Sequence, residues 1–164
     1  MNTTTESGTN PLTLDDFVVG QTFSSGSHHM DATPMKAFAA EFDPQPFHLD
    51  EDAGKNSLFG LAASGWHTAA ITMSLLVKSC PVQGGLVGAG AEITWPIPTR
   101  PGDTLHVETE VLEVRPSRSR PDRGIVTIRS ITRNQDGKSV QILISRLVVP
   151  KLMETPTSPT NAHE

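Results

Sequence analysis

Two ionisable side chains, Asp43 and His48, stand five positions apart in the run Asp43-Pro44-Gln45-Pro46-Phe47-His48, with two prolines between them. Each proline fixes its own φ and steers the residue before it away from αR, so the segment reads as a stiff, non-helical loop. A stiff loop holds two side chains in a fixed relation, which is what an acid/base pair needs. Imidazole titrates near neutrality, and a neighbouring carboxylate orients the ring and tunes it. Gln45 adds a neutral hydrogen bond to the same place. Alone, the spacing also suits a turn aspartate at a helix end and a capped loop histidine.

A second element follows in Ala63-Ser64-Gly65-Trp66-His67. Ser64 is a good N-cap, its hydroxyl accepting from the backbone N–H of Trp66 or His67. Gly65 is then the first helical residue, with a free N–H and no side chain to block approach. Such an N–H attracts negative charge. Beside a thioester carbonyl it becomes an oxyanion donor; otherwise it belongs to a plain capped helix with a glycine for close packing. A base, an acid and an oxyanion donor within about twenty residues form a constellation for proton transfer next to a carbonyl.

Positioning these groups falls to a recognisable order of elements. Ser24-Ser25-Gly26-Ser27-His28-His29-Met30 looks like a tag scar but lies between patterned segments and reads as strand and turn. Met35, Phe38, Ala39 and Phe42 recur at helical spacing, and that helix stops near Phe42. Leu49 to Asn56 reads as a short acidic surface helix. From Gly65 to Pro81, an apolar stripe of Trp66, Ala69, Ala70, Met73, Leu76, Val77 and Cys80 is opposed by Ile71 and Leu75, which predicts a helix buried on both sides. After Gly84 the chain alternates as strand: Ala91, Ile93, Trp95 and Ile97; Leu105, Val107, Thr109 and Val111; then Ile125–Thr132 and Val140–Val149. Pro101-Gly102 predicts a type II turn and Asp136-Gly137 a tight hairpin. A lone buried helix needs a surface that wraps it, so the expected fold is α+β: a hotdog, with a curved antiparallel β-sheet around a long central α-helix. Edge-to-edge pairing of such sheets predicts a homodimer or a higher assembly of dimers.

The 164 residues fit one domain, expected over 12–152, with disordered tails at 1–11 and 153–164. A net charge of −5 argues against nucleic acid. One cysteine, Cys80, excludes an intramolecular disulfide and a multi-cysteine zinc site and suits a reducing compartment. The polar start does not read as a secretory signal, and no apolar run reaches membrane-spanning length, so the chain reads as soluble and cytoplasmic. His28 and His29 point to opposite faces of a strand, which disfavours a shared metal. His67 reads as a packed histidine, and Trp66 and Trp95 most simply as core. Four arginines between Arg115 and Arg123 suit phosphate, but they also suit a solvated hairpin, the simpler reading.

The run Phe38-Ala39-Ala40-Glu41-Phe42-Asp43-Pro44-Gln45-Pro46-Phe47-His48-Leu49-Asp50 resembles the hydratase motif of MaoC-like dehydratases, the (R)-specific enoyl-CoA hydratase group. Phe59-Gly60-Leu61-Ala62-Ala63-Ser64-Gly65-Trp66 is similar to the start of that family's central helix. Ile93-Thr94-Trp95 through Pro101-Gly102-Asp103-Thr104-Leu105 resembles its strand-turn-strand signature. The resemblance implies Asp43 and His48 as catalytic dyad and the Gly65 N–H as oxyanion donor, with Gln45, Phe47, Ser64 and Trp66 around the substrate. It implies addition of water to a trans-2-enoyl-CoA to give an (R)-3-hydroxyacyl-CoA, or the reverse. The coenzyme A thioester is then the substrate, and no metal or redox cofactor is implied. Three positions depart from the family's common pattern: Gln45 for Asn, Ser64 for His, and Met73 for a helix serine. A hotdog thioesterase and a non-catalytic acyl-thioester-binding subunit are the alternatives. The first is disfavoured because Trp66 to Ser79 contains no Asp or Glu.

Overall fold

The computed structural model describes residues 10–153. The expected tails lie outside that range except for residues 10, 11 and 153, and Leu12, the first residue of the expected domain, bridges to Val82.

A 3₁₀ turn, Leu14–Asp16, leads into strand β1, Thr22–His29. Three helices follow: α1, Ala32–Phe42; α2, Pro46–Leu49; and α3, Glu51–Lys55. Then come the long helix α4, Gly65–Ser79, and strands β2, Val87–Thr94, β3, Thr104–Pro116, β4, Arg123–Arg133, and β5, Ser139–Pro150. The five strands form one antiparallel sheet in the order β1-β3-β4-β5-β2. Helix α4 lies on its inner face. This is the α+β hotdog arrangement that the element order predicts.

Local chemistry explains several joints. The serine-rich start of β1 is a bulged strand: the register slips between Ser24 and Ser27, and the Ser25 hydroxyl accepts from the Val107 N–H at 2.7 Å. A side chain thus replaces a lost ladder bond. Gly102 takes φ +89°, and the Asp103 N–H returns to the Arg100 carbonyl, closing the expected Pro-Gly turn. Gly137 closes the β4–β5 hairpin onto Asn134.

The core has two parts. Leu14, Leu76, Cys80, Val111, Ile128 and Leu147 cluster beneath the C-terminal half of α4. Met30, Met35, Ala63, Leu105 and Val140 cluster beneath its N-terminal end. Burial pushes the Cys80 thiol up to about 11, which leaves it protonated at neutral pH. No helix among the described residues is long and apolar enough to cross a membrane.

Three expectations need correction. The segment after Asp43 is not wholly non-helical: Pro46 sits at N1 of α2, where its missing N–H costs nothing, and His48 belongs to that helical turn. Gln45, before the proline, keeps the extended backbone that the sequence predicts. Helix α4 is not buried all round. Its covered face carries His67, Thr68, Thr72, Leu75 and Leu76, whereas Trp66, Met73 and Val77 are exposed. The hydrophobic stripe of the sequence is therefore divided, with Leu76 and Cys80 in the core and Trp66, Met73 and Val77 outward, and the core-facing threonines pair with hydroxyls opposite, Thr68 with Thr99 and Thr72 with Thr132. Trp95 also lies beyond the end of β2 and is 41% exposed, so neither tryptophan is a core residue.

Candidate active site

Helix α1 ends on Asp43, whose N–H still bonds to the Ala39 carbonyl. Two residues, Pro44 and the extended Gln45, separate it from α2, and the prolines hold that turn. The Phe47 carbonyl then accepts from the Ala62 N–H, and Ala63 bonds to the Thr99 carbonyl. These ties bring residues 62–65 beside the α1–α2 corner.

Asp43 Oδ2 lies 3.3 Å from His48 Nε2, with both side chains largely buried. The opposite ring nitrogen, His48 Nδ1, is 2.7 Å from the Ala62 carbonyl oxygen. A carbonyl only accepts, so the proton is on Nδ1 and the neutral ring presents a bare Nε2. Two lone-pair atoms 3.3 Å apart then face one another. Either the ring takes up a second proton and donates it to Asp43, or a water donates to the pair. Interconversion of those two states is general-base chemistry.

The carboxylate is held by further donors. The Ser64 hydroxyl donates to Asp43 Oδ2 at 2.7 Å, and Gln45 Nε2 donates to Oδ1 at 2.7 Å. Burial works to raise the Asp43 carboxyl, but the bonds from Gln45 and Ser64 and the attraction of His48 outweigh it, leaving Asp43 below the usual carboxylate range. A depressed carboxyl stabilises the fold above its unfolded pKa, and that contribution is lost as pH falls through the folded value.

Ser64 has a second task, accepting from the Trp66 N–H at 3.2 Å as the cap of α4. The cap was legible in the sequence; the bond to Asp43 was not. Replacing Ser64 by alanine removes both. The expected result is a loss of ~1 kcal/mol of stability, with the Asp43 titration, followed by carboxyl NMR, moving to higher pH. An unmoved titration would show that Ser64 does not support the carboxylate.

Gly65 opens α4, and its N–H finds no acceptor among the described residues. The Trp95 indole covers its Cα side: an added Cβ would sit 2.7 Å from ring carbon Cε2. The indole N–H of Trp95 donates to Gln141 Oε1 at 2.9 Å. Trp95 and Gln141 are the residues that sequence reading missed. A single amide inside the apolar run Val140-Gln141-Ile142-Leu143 was the available signal.

A cavity of about 250 Å³ opens over this corner, lined by Phe47, His48, Phe59, Ala63, Trp95 and Pro98 among others. Phe47 also meets the His48 ring edge-on at 4.4 Å. Trp66 stands edge-on to Trp95 at 5.4 Å but points outward. His67 takes no part: it is buried and stacks on Phe38. Burial, with His28 nearby, keeps its ring neutral to lower pH. The arginine hairpin is also remote, since Gly124 there abuts Leu14 in the cluster under the far end of α4.

Fold and site together define a hotdog protein with a carboxylate–imidazole corner at the start of its central helix. Residues 16–134 match the MaoC like domain family, and the chain belongs to that family. It is 36% identical over 142 residues to the uncharacterized protein YdeM of Bacillus subtilis, covering 84% of this chain and 97% of that one. The crystal structure of a MaoC-like dehydratase from Rhodospirillum rubrum is 60% identical, with TM-score 0.84, and covers 87% of this chain and 99% of that one. The R-hydratase PhaJ1 from Pseudomonas aeruginosa is 25% identical, with TM-score 0.70, covering 90% and 96%.

Proposed function

We propose that the chain is a hydro-lyase that adds water to a trans-2-enoyl-CoA, or removes it from the (R)-3-hydroxyacyl-CoA. The observation that carries this reading is His48 Nε2 lying 3.3 Å from Asp43 Oδ2, beside the start of a helix whose first N–H has no acceptor among the described residues. Membership of the MaoC-like family and the likeness to an R-hydratase support it.

In this reading a water sits between His48 and Asp43. His48 Nε2 takes one of its protons while the oxygen bonds to C3 of the enoyl group. Electron density moves through C2 to the thioester oxygen, where the Gly65 N–H stabilises it. The imidazolium, paired with Asp43, then returns its proton to C2 on the same face. One proton is taken and one delivered, so the dyad ends as it began and addition is syn. Gln45 and Ser64 keep Asp43 ionised for the imidazolium, and Phe47 and Trp95 flank the acyl group. The dyad also distinguishes this reading from a thioesterase. Enoyl-CoA turnover is expected without thiol release, with the R enantiomer dominating on chiral chromatography; thiol release, or a racemic product, would count against it.

The functional unit in this reading is a homodimer. Among the described residues strand β2 pairs with β5 alone and leaves its other edge open, and beside it α4 exposes Trp66, Met73 and Val77, with Val87 exposed on β2 itself. An apolar face along an open edge is an interface or an aggregation hazard. Light scattering is expected to give twice the chain mass of 17.6 kDa, and Val77→Glu combined with Val87→Glu to shift the protein to monomer. A wild type that is monomeric at micromolar concentration would remove the dimer from the account.

A further inference from the structure

Buried polar side chains in this fold are nearly all paired. Thr68 bonds to Thr99, Thr72 to Thr132, and Thr109 to Ser130. Among the described residues, three buried side-chain atoms have no partner: His67 Nδ1, Gln141 Nε2 and Ser145 Oγ. The last two share the inner face of one strand. Gln141 is fully buried and Ser145 is 7% exposed. Since the Trp95 N–H requires an oxygen acceptor, the Gln141 amide is oriented with its NH₂ left over. Buried hydrogen-bonding groups without a protein partner are costly and call for an explanation.

Ser145 opens into a cleft of about 310 Å³ between α4, β2 and β5, whose other walls include Ala69, Met73, Leu76, Ile93 and Leu143. On α4 these walls follow Gly65 at one-turn intervals, so the cleft begins ~6 Å from Gly65 and runs along the same helix face. On β5, Gln141 stands at the Gly65 end, through Trp95, and Ser145 lies ~13 Å further along the strand. No charged side chain lines the cleft.

We infer that this cleft receives an acyl chain bearing a neutral oxygen substituent, a hydroxyl or a keto group, beyond C3. This rests on the acyl-thioester reading above. Of the two, Ser145 lines the cleft and Gln141 does not; the Ser145 hydroxyl can donate to a keto oxygen or accept from a hydroxyl. A carboxylate would be buried without a cation, which disfavours it. An unsubstituted alkyl chain fills the volume but leaves the Ser145 hydroxyl unpaired, and sites built to bond an oxygen discriminate strongly against analogues that lack it.

Saturated thioesters test this without turnover. Isothermal titration would compare octanoyl-CoA with 8-hydroxyoctanoyl-CoA, and hexanoyl-CoA with 6-hydroxyhexanoyl-CoA. At least one hydroxylated ligand is expected to bind about tenfold more tightly than its parent, the worth of one to two net hydrogen bonds. In Ser145→Ala that ratio falls to about one, with folding checked by thermal melting, while Ser145→Thr, which keeps the hydroxyl, retains the preference. Equal or tighter binding of both parents by the wild type would overturn the inference, leaving ordered water as the partner of both groups. Failure of both pairs to bind would overturn it too, because the cleft would then take no acyl chain. Crotonyl-CoA, which ends at C4, reports on the hydratase reading separately: its hydration can succeed while the hydroxyl preference fails, and the reverse.

Discussion

Asp43→Asn is expected to lower kcat/KM for enoyl-CoA hydration by about 10³-fold while leaving the protein folded. Asparagine nearly matches aspartate in shape, but its amide cannot stabilise an imidazolium at His48 or hold water as an acceptor on both oxygens. His48→Ala is expected to cost at least as much in rate, and it carries a second effect. Its loss leaves the Ala62 carbonyl, now bonded to Nδ1 at 2.7 Å, without a partner, at ~1–3 kcal/mol of stability. The double variant should be little worse than the poorer single one, because two groups that move one proton act as a unit. Rates measured alongside melting curves check all three. A fully active, folded Asp43→Asn would remove the carboxylate from the chemistry.

Gly65→Ala is expected to cost ~10²-fold in rate and to destabilise the fold. Two effects oppose one another. Alanine is the better helix former, by up to ~1 kcal/mol. Against that, its Cβ would meet the Trp95 ring carbons at 2.7 and 2.9 Å, closer than carbon atoms pack. Trp95 cannot give way freely, because Gln141 holds its N–H and Trp66 stands against its face. Overpacking of this kind costs ~1–3 kcal/mol, so the clash wins. Indole displacement also shifts the helix N-terminus, which is where the oxyanion donor sits. Tryptophan fluorescence, melting temperature and rate should therefore change together. An unchanged rate would mean that the Gly65 N–H does not face the reacting oxygen.

Much of this arrangement was legible in residues whose local physics is decisive. The prolines around Gln45 fix where α1 ends, Ser64 marks the start of α4, and Pro101-Gly102 sets the turn before β3. What escaped depends on long-range packing. Pro46 can end a helix or begin one, and only the contact of Phe47 with Ala62 decides that His48 sits in a helical turn. The apolar stripe on α4 gives period but not direction, so Trp66, Met73 and Val77 read as core until the threonine pairs of the inner face are seen. The Ala62 carbonyl that fixes the tautomer of His48 has no signature in sequence. Nor has the chain from Gln141 through Trp95 to Gly65, which joins residues 76 positions apart in sequence. The roles assigned at the corner thus rest on both sources: residue types from the sequence, mutual distances from the fold.

The most direct measurement follows the ultraviolet absorbance of crotonyl-CoA and longer trans-2-enoyl-CoAs, with wild type and Asp43→Asn side by side and free thiol monitored in the same cuvette. The account predicts that the wild type removes the conjugated double bond with no thiol released, and that Asp43→Asn does not. Release of thiol, or equal loss of absorbance with both proteins, would contradict it.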